Sequence, residues 1–216
     1  MTAVLCALLS ACDVAGGGGG GSVDELGLKP ITQATATGLP GGLGKAALAG
    51  REAEGFTVTA AGAPVVRVSQ NACAPAAYAL SGTVIGKPAS TVVRQASGEG
   101  AVVTVALAEY EAEQAQSAMD ALGTAVDDCA SGFTATVDGE DRAFRKIALE
   151  LAPEGADQAM GLGAVVKRAG AKTPVKAVVF RKGNTVAYVS AVPEGSAPKD
   201  FAVPAAIVDA QLAKLS

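Results

Sequence analysis

Residues 101–129 read AVVTVALAEYEAEQAQSAMDALGTAVDDC and join a strand-like apolar run to an amphipathic helix. The run 102–107 is rich in β-branched residues and contains neither Pro nor Gly, which is typical of a strand. The following residues predict a helix of about five turns, because apolar side chains recur at spacings of three and four: Ala115, Ala118, Met119, Leu122, Val126 and Cys129. Glu109, Glu111 and Glu113 suit its positive N-terminal end. Because the stripe ends in a cysteine, we expect the helix to end in a bond to another part of the fold.

Short apolar runs on the N-terminal side of this stretch predict two strand pairs. The runs 55–59 and 64–69 alternate between polar and apolar residues, and the turn residues 61–63 between them predict a hairpin. The run 91–96 is expected to pair with 102–107. These pairs place an antiparallel sheet beside the helix.

The C-terminal part of the chain continues the same pattern. Strands are predicted at 133–137, 142–151, 164–168, 175–181 and 185–192. The dipeptide Asp138-Gly139 is a favoured hairpin turn, and a second tight turn is predicted at Lys182-Gly183-Asn184.

Helices are predicted at three further places. A short helix is expected over 45–49 and a helical turn through Tyr78, while 201–216 is expected to close the domain with one apolar face: Ile207, Val208, Leu212 and Leu215. Strands outnumber helices, and most are hairpin neighbours. The sequence therefore predicts an α+β fold, a largely antiparallel twisted sheet with two main helices packed on one face.

The N-terminal residues predict the cellular compartment. A short apolar run ends in Leu9-Ser10-Ala11-Cys12, which looks like a bacterial lipobox whose cysteine receives a diacylglycerol. Only Met1 and Thr2 precede the apolar run, whereas a signal peptide normally begins with positive charges. We therefore expect the natural start to lie upstream.

Three segments follow from this interpretation. Residues 1–12 are predicted to be a lipoprotein signal segment with Cys12 as the lipidated residue, and 13–44 a flexible tether and loop that includes six consecutive glycines. Residues 45–216 are predicted to form one extracytoplasmic domain. The predicted location is the outer face of the cytoplasmic membrane, with the lipid on Cys12 as the membrane contact.

The cysteine count then predicts one crosslink. Of the four cysteines, Cys6 lies in the leader and Cys12 is assigned to the lipid. In an oxidising compartment Cys73 and Cys129 most simply pair. The alternative is a pair of buried free thiols.

The composition excludes several kinds of chemistry. The chain has no His, so Ser-His and Cys-His nucleophiles and imidazole zinc sites are excluded. The net charge is −4 and the basic residues are scattered, so nucleic acid is not an expected partner. No catalytic residue, metal ligand or cofactor site is predicted, and the chain is not expected to be an enzyme.

Other polar residues are interpreted as structural. The acids Asp127 and Asp128 are expected at an exposed helix end, and the acids near Asp138 in a hairpin turn. Tyr78, Tyr110 and Tyr188 are expected in the core or at its rim, with a pocket lining as the alternative.

Several motifs together resemble one family. These are Glu54-Gly55-Phe56-Thr57-Val58, the Cys73-Ala74-Pro75 element, the strand 102–107, the helix that leads into 128–133, and the paired strands 178–181 and 184–189. In this order they resemble the actinobacterial surface lipoproteins related to the extracellular sensor domain of PknH-type receptor kinases. The resemblance covers about residues 45–216. It implies a twisted sheet with helices, a cleft and two disulfides, whereas this chain has cysteines for one.

Two functions are consistent with these features. The first is a lipid-tethered monomeric domain that binds or senses an extracellular small molecule or protein. The second is a lipid or glycolipid carrier, which requires a large apolar cavity.

Overall fold

The protein is described here by a computed structural model that covers residues 42–168 and 170–216. The predicted signal segment, with Cys12, and the glycine run lie outside these residues. The helices are α1 (Leu43–Ala46), α2 (Ala74–Ser81), α3 (Ala112–Asp128) and α4 (Ala205–Lys214), with a 3-10 turn at Asn71–Cys73. The strands are β1 (Thr57–Ala60), β2 (Val66–Val68), β3 (Ser90–Gly98), β4 (Ala101–Glu109), β5 (Phe133–Val137), β6 (Glu140–Glu150), β7 (Gln158–Arg168), β8 (Ala171–Lys182) and β9 (Thr185–Pro193).

The predicted α+β fold with an antiparallel sheet is confirmed. All nine strands of the described chain belong to one sheet in the order β1-β3-β4-β9-β8-β7-β6-β5-β2, and every neighbouring pair is antiparallel. The hairpins β3–β4, β5–β6 and β8–β9 are those expected from the turn residues. Two helix limits differ: α1 spans Leu43–Ala46 rather than 45–49, and Glu109 ends β4 rather than opening α3.

Both faces of the central strands are covered, which corrects the prediction that the two main helices share one face. Along β9, Val186 and Tyr188 pack in the cluster that contains α2 and α3, whereas Ala187 and Val189 pack in the cluster that contains α1 and α4. The predicted apolar face of 201–216 is confirmed, because Ile207, Val208 and Leu215 are buried and Leu212 packs beside them. This face packs on the side of the sheet opposite to α3. The continuous apolar run of β9 is the physical reason, because a strand buried on both faces loses its alternation.

The predicted hairpin 55–59/64–69 is wrong. The strand β1 pairs with β3 at one edge of the sheet, and β2 pairs with β5 at the opposite edge. Two strands of four and three residues would form a marginally stable hairpin on their own. Each instead extends a longer neighbour.

This connection requires the sheet to curl. Nine strands at a spacing of about 4.8 Å would place the two edges of a flat sheet about 38 Å apart. The five residues 61–65 that join β1 to β2 span at most about 20 Å. The sheet therefore coils until its edges approach, and this segment crosses the gap between them.

A disulfide joins the two helices on the concave face. Cys73 lies in the 3-10 turn before α2 and Cys129 caps the C-terminal end of α3. They are bonded across a Cα–Cα distance of 5.8 Å, and both are buried. The predicted pairing is confirmed, and the alternative of free thiols is excluded.

A candidate binding cavity beneath the crossing strap

The segment that crosses between the sheet edges forms the outer wall of a cavity. We call residues 61–64 the strap. Beneath it lies a space of about 370 Å³, within the range of about 300–1,000 Å³ typical of small-molecule sites. Besides the strap, the lining comprises Leu80, Ser81, Gln95, Val102, Thr104, Val137, Asp138, Arg142, Phe144, Val166, Val175, Ser190 and Val192.

The floor of the cavity is apolar. It is built by side chains that point from the strands to the concave face, among them Phe144, Val166 and Val175. The ring of Phe144 stacks on Phe133 with the ring centroids 4.8 Å apart, which fixes its position. A ligand in the cavity would therefore rest on a rigid hydrocarbon surface.

The strap is held at both ends by hydrogen bonds. At the β3 edge, the Ala61 backbone N–H donates to the Val93 carbonyl oxygen at 3.2 Å. At the β5 edge, the Val65 N–H donates to Asp138 Oδ1 at 2.9 Å, and the Asp138 N–H donates to the Val65 carbonyl at 2.9 Å. Gly62, Ala63 and Pro64 lie between these anchors and are exposed or half-exposed.

The end of α2 brings polar groups to the cavity. Gly82 ends this helix with φ at 70°, and a Cβ atom there would lie 2.6 Å from Thr104 Cβ, so only glycine allows the helix end to approach β4 so closely. Ser190 Oγ donates to the Leu80 carbonyl at 2.7 Å and fixes the last turn. This packing sets Ser81 at the cavity wall.

Two buried polar atoms at the wall have no hydrogen-bond partner. Within residues 42–168 and 170–216 these are Ser81 Oγ and Arg142 Nε, and both residues line this cavity. A buried donor left unpaired costs about 1–3 kcal/mol, so such atoms in a folded protein require an explanation. Both residues line the cavity through other atoms, because these two atoms have almost no accessible surface.

The charges at the cavity are of both signs. Arg142 Nη2 lies 3.6 Å from Glu140 Oε2, and Asp138 lies at the rim, where its carboxylate already accepts the Val65 N–H. The guanidinium side chain is 27% exposed although its Nε atom is buried. The Arg142 side chain is therefore partly exposed to solvent, and this residue also lines the cavity.

The residues singled out in the sequence lie elsewhere. Cys73 and Cys129 form the disulfide beside α2 and α3, and Asp127 and Asp128 are exposed at the end of α3. Tyr110 and Tyr188 are buried, as the core interpretation predicts. Asp138, predicted only as a turn residue, does form the turn and also reaches the cavity rim.

Ser81 and Arg142 were not predicted, because neither belongs to a recognisable motif. The only signal for the strap was the run of small residues 61–63, which predicted a hairpin turn instead, with Pro64 as the start of a strand. Within the described parts of the chain, no group of His, Cys, Asp and Glu side chains has the arrangement of a metal site. None of the helices in those parts combines the length and the apolar character needed to cross a membrane.

Comparison with solved structures finds similar folds. The chain is similar to the extracellular domain of PknH from Mycobacterium tuberculosis at 15% identity and a TM-score of 0.47, with 75% of this chain and 83% of that chain covered. It is also similar to an uncharacterized Mycobacterium smegmatis protein, the Rv0999 ortholog, at 14% identity and a TM-score of 0.40, covering 75% of this chain and 90% of that chain. The first of these is the kind of protein that the sequence resemblance names. No protein-family model and no curated protein matches the chain.

Proposed function

We propose that this protein is an extracytoplasmic binding or sensing domain, anchored to the membrane by a lipid on Cys12, that holds a small molecule in the cavity beneath the strap. The observation that carries the proposal is the cavity itself. It has an apolar floor, polar residues such as Ser81, Thr104 and Arg142 in its wall, and a cover that spans the gap between the sheet edges. These are the features of a site for a small amphipathic molecule.

The size and lining of the cavity favour this role over the lipid carrier. Its volume of about 370 Å³ lies near the lower limit for small-molecule sites. Charged and hydroxyl-bearing residues form part of the wall, whereas a carrier of acyl chains needs a larger and more uniformly apolar space. The domain is proposed to act as a monomer, with no nucleic-acid partner.

A cavity-filling variant tests the binding site. Val102 is half-buried on β4 and lines the cavity, so Val102→Trp is expected to fill it. Leu149→Trp on β6 is the matched control, because Leu149 is 62% exposed and outside the cavity. Thermal-shift screening of the purified protein against a library of small metabolites is expected to find ligands that stabilise the wild type and the control but not Val102→Trp. If no compound stabilises the wild type, or if Val102→Trp responds equally, the proposed site is wrong.

The lipid anchor has its own test. Full-length protein purified from a bacterial membrane is expected to show, by intact-mass analysis, a diacylglycerol adduct and a chain that begins at Cys12. Cys12→Ser is expected to remove the adduct and release the protein from the membrane fraction. An unlipidated wild-type protein would overturn the anchor without affecting the cavity.

A further inference from the structure

We infer that this domain docks on an anionic membrane surface through the outer side of strands β2 and β5–β8, the side of the sheet opposite to α2 and α3. The partner is a bilayer that carries anionic phospholipid headgroups. Five exposed cations on these strands form what we call the basic face: Arg67, Arg145, Lys146, Lys167 and Lys172. The inference goes beyond the proposed function, because it depends neither on the cavity beneath the strap nor on its ligand.

The sheet gathers cations that are scattered along the sequence. Ala143 of β6 lies opposite Lys167 of β7, and Lys167 lies opposite Lys172 of β8. Residues that are directly opposite each other share one face of a sheet. The next residues along the strands, Phe144 and Val166, belong to the core cluster that contains α2 and α3. Because successive side chains alternate between faces, the row that contains the two lysines points to the outer side.

A β-bulge adds two adjacent cations to this row. In a regular strand, Arg145 and Lys146 would point to opposite faces. The register of β6 against β7 shifts between Arg145 and Ala148, and Lys146 has a φ of 54°, which is uncommon for a lysine. The Ile147 N–H donates to the Ala130 carbonyl at 3.2 Å and holds the bulge against the end of α3. As a result, both cations line the same groove.

This groove on the outer side is strongly positive. Its volume is about 410 Å³, and the described residues that line it include four cations and no acid: Arg145, Lys146, Lys167 and Lys172, with Ser131 and Val165. Like charges directly opposite each other in a sheet are destabilising, and Lys167 and Lys172 are such a pair. An anion that lies between them would remove this repulsion.

The protein itself does not neutralise these cations. Lys176, further along the outer side of β8, is paired with Glu150. Within residues 42–168 and 170–216, none of the four cations of the groove forms an ion pair. Their charge is therefore available to a partner.

The positive charge continues beyond the groove. A neighbouring depression of about 460 Å³ is lined by Arg67, Arg142 and Lys167, and Asp141 is the one acid among its described lining residues. Asp141 accepts a hydrogen bond from Thr136 Oγ1 at 2.8 Å. Arg67 on β2 and Lys172 on β8 are four strand spacings apart, which is about 19 Å along the sheet.

The extent of the basic face favours a bilayer over a small soluble anion. A single phosphate is much smaller than the basic face, whereas a bilayer presents many headgroup charges side by side. The cations are exposed ends of long side chains, and a site for one anion typically uses convergent backbone N–H groups instead. Each Lys or Arg close to an anionic bilayer strengthens binding about fivefold.

The rest of the protein favours one orientation on the membrane. The net charge of the chain is −4, so the surface outside the basic face is acidic on balance and an anionic bilayer repels it. The lipid anchor proposed on Cys12 would hold the domain beside the bilayer and raise the local concentration of headgroups. The basic face would then lie against the headgroups.

Vesicle binding tests the inference. The full chain with Cys12→Ser, which carries no lipid, is mixed with vesicles of phosphatidylcholine alone or of phosphatidylcholine and phosphatidylglycerol in equal parts. Co-sedimentation at about 0.1 M salt is expected to show binding to the anionic vesicles at least about 100-fold stronger than to the neutral vesicles. At about 1 M salt the Debye length falls to about 3 Å, and the preference is expected to disappear.

A footprint of the lysines locates the contact. Anionic vesicles are expected to protect Lys146, Lys167 and Lys172 from acetylation by an amine-reactive reagent, measured by mass spectrometry. Lys87 and Lys199 are exposed and lie outside the basic face, so their acetylation is expected to stay unchanged.

Two variants that remove the same charge separate the basic face from the net charge. Each replaces three lysines and one arginine by glutamine, on the face or at exposed positions elsewhere: Arg145→Gln/Lys146→Gln/Lys167→Gln/Lys172→Gln and Lys45→Gln/Arg51→Gln/Lys87→Gln/Lys199→Gln. The variant of the face is expected to lose the preference for anionic vesicles, at least about 100-fold, whereas the control is expected to lose less than about fivefold.

A single substitution separates binding from folding. Lys172→Glu places an acid opposite Lys167, so the thermal stability of the protein without vesicles is expected to rise. The same change is expected to weaken binding to anionic vesicles about 25-fold, because one attraction is lost and one repulsion is added. A cation pair with a purely structural role would give lower stability and unchanged binding.

The other outcomes contradict the inference. Equal binding to anionic and neutral vesicles, or equal binding by the two fourfold variants, would show that the basic face does not dock on a membrane. If glycerol phosphate protects the same lysines without vesicles, or if polyphosphate binds more tightly than vesicles at equal phosphate concentration, the partner is a soluble anion and the membrane proposal is wrong. None of these results affects the ligand screen on the cavity, so the proposed function is tested separately.

Discussion

Val65 and Asp138 are joined by two hydrogen bonds of 2.9 Å, one in each direction, and together they fasten the strap to the β5–β6 turn. Asp138 has a φ of 52° in that turn, a conformation that Asn and Gly accept more readily than other residues. The same residue thus makes the turn and holds one end of the cavity cover.

The strap anchor can be tested at Asp138. Asp138→Gly keeps the backbone conformation but removes the side-chain acceptor, so the Val65 amide is expected to exchange with solvent about fivefold faster, the effect of about 1 kcal/mol. Hydrogen exchange followed by NMR measures this rate. Asp138→Asn retains an acceptor oxygen and is the control. Equal exchange of the Val65 amide in the two variants would show that the side chain does not hold the strap.

The disulfide is expected to contribute strongly to stability. Cys73 and Cys129 are separated by 56 residues, and loop-closure entropy puts such a crosslink at about 4 kcal/mol. The double variant Cys73→Ala/Cys129→Ala is expected to lower the free energy of unfolding by about that amount in urea denaturation. The reduced wild type is the control, and its free energy of unfolding should fall by a similar amount. A loss below about 1 kcal/mol in both would contradict the entropic account.

Gln211 is a buried polar residue that joins the two ends of the domain. It is 0% exposed, its Oε1 accepts the Leu48 N–H at 3.1 Å, and its Nε2 donates to the Ala46 carbonyl at 2.7 Å. Gln211→Ala leaves both backbone groups unpaired and is expected to cost about 3 kcal/mol. Gln116→Ala, at an exposed position on α3, is the control and should change stability by less than about 0.5 kcal/mol. Urea denaturation measures the free energy of unfolding of both variants. Equal values for Gln211→Ala and Gln116→Ala would contradict the structural role of Gln211.

The buried tyrosine pair predicts sensitivity to alkali. Tyr110 donates to the Ile85 carbonyl at 2.6 Å, and the Tyr188 hydroxyl lies 2.7 Å from that of Tyr110. Burial raises the pKa of Tyr188 well above its ordinary value of 10.0, and the neighbouring Tyr110 raises it further. The pKa of Tyr110 is also raised, mainly by burial.

The sign of the effect follows from the raised pKa values. Below about pH 10 the tyrosines are neutral in both states and the stability is fully present. Above it the unfolded chain loses protons first, so stability falls as the pH rises. Tyr188→Phe is expected to make this fall shallower, and Tyr78→Phe is the control. Urea denaturation between about pH 8 and 11 measures how steeply the free energy of unfolding falls with pH. If Tyr188→Phe and the wild type show the same slope, the tyrosine pair does not cause the sensitivity to alkali.

Local sequence signals predicted the parts of the fold that depend on neighbours in the chain. The turn at Asp138-Gly139 and the stripe that ends at Cys129 carry their own pattern, so β5–β6, α3 and the disulfide follow from them. The pairing of β1 and β2 depends on which distant edges are available, and residues 61–63 look like a hairpin turn in isolation. The side of the sheet on which α4 packs is also decided by tertiary contacts and not by the local sequence. Its apolar face matches either surface of a strand such as β9.

The candidate site could not be predicted for the same reason. Ser81 is the last residue of an alanine-rich helix and Arg142 lies in a strand with other charges, so neither stands out by type or spacing. Their place in the cavity wall exists only after α2, β6 and the strap meet. Gln211 is a similar case, because its position on the buried face of α4 is visible in the sequence but its backbone partners are 163 and 165 residues away.

The crossing of one short segment from edge to edge also protects the sheet against self-association. Open edges of a sheet present unpaired N–H and C=O groups that recruit strands from other molecules. Here β1 and β2, only four and three residues long, occupy both edges, and each leaves few groups for another chain. Because both come from residues 57–68, a deletion of this one segment would uncover β3 and β5 together and open two longer strand edges to other chains.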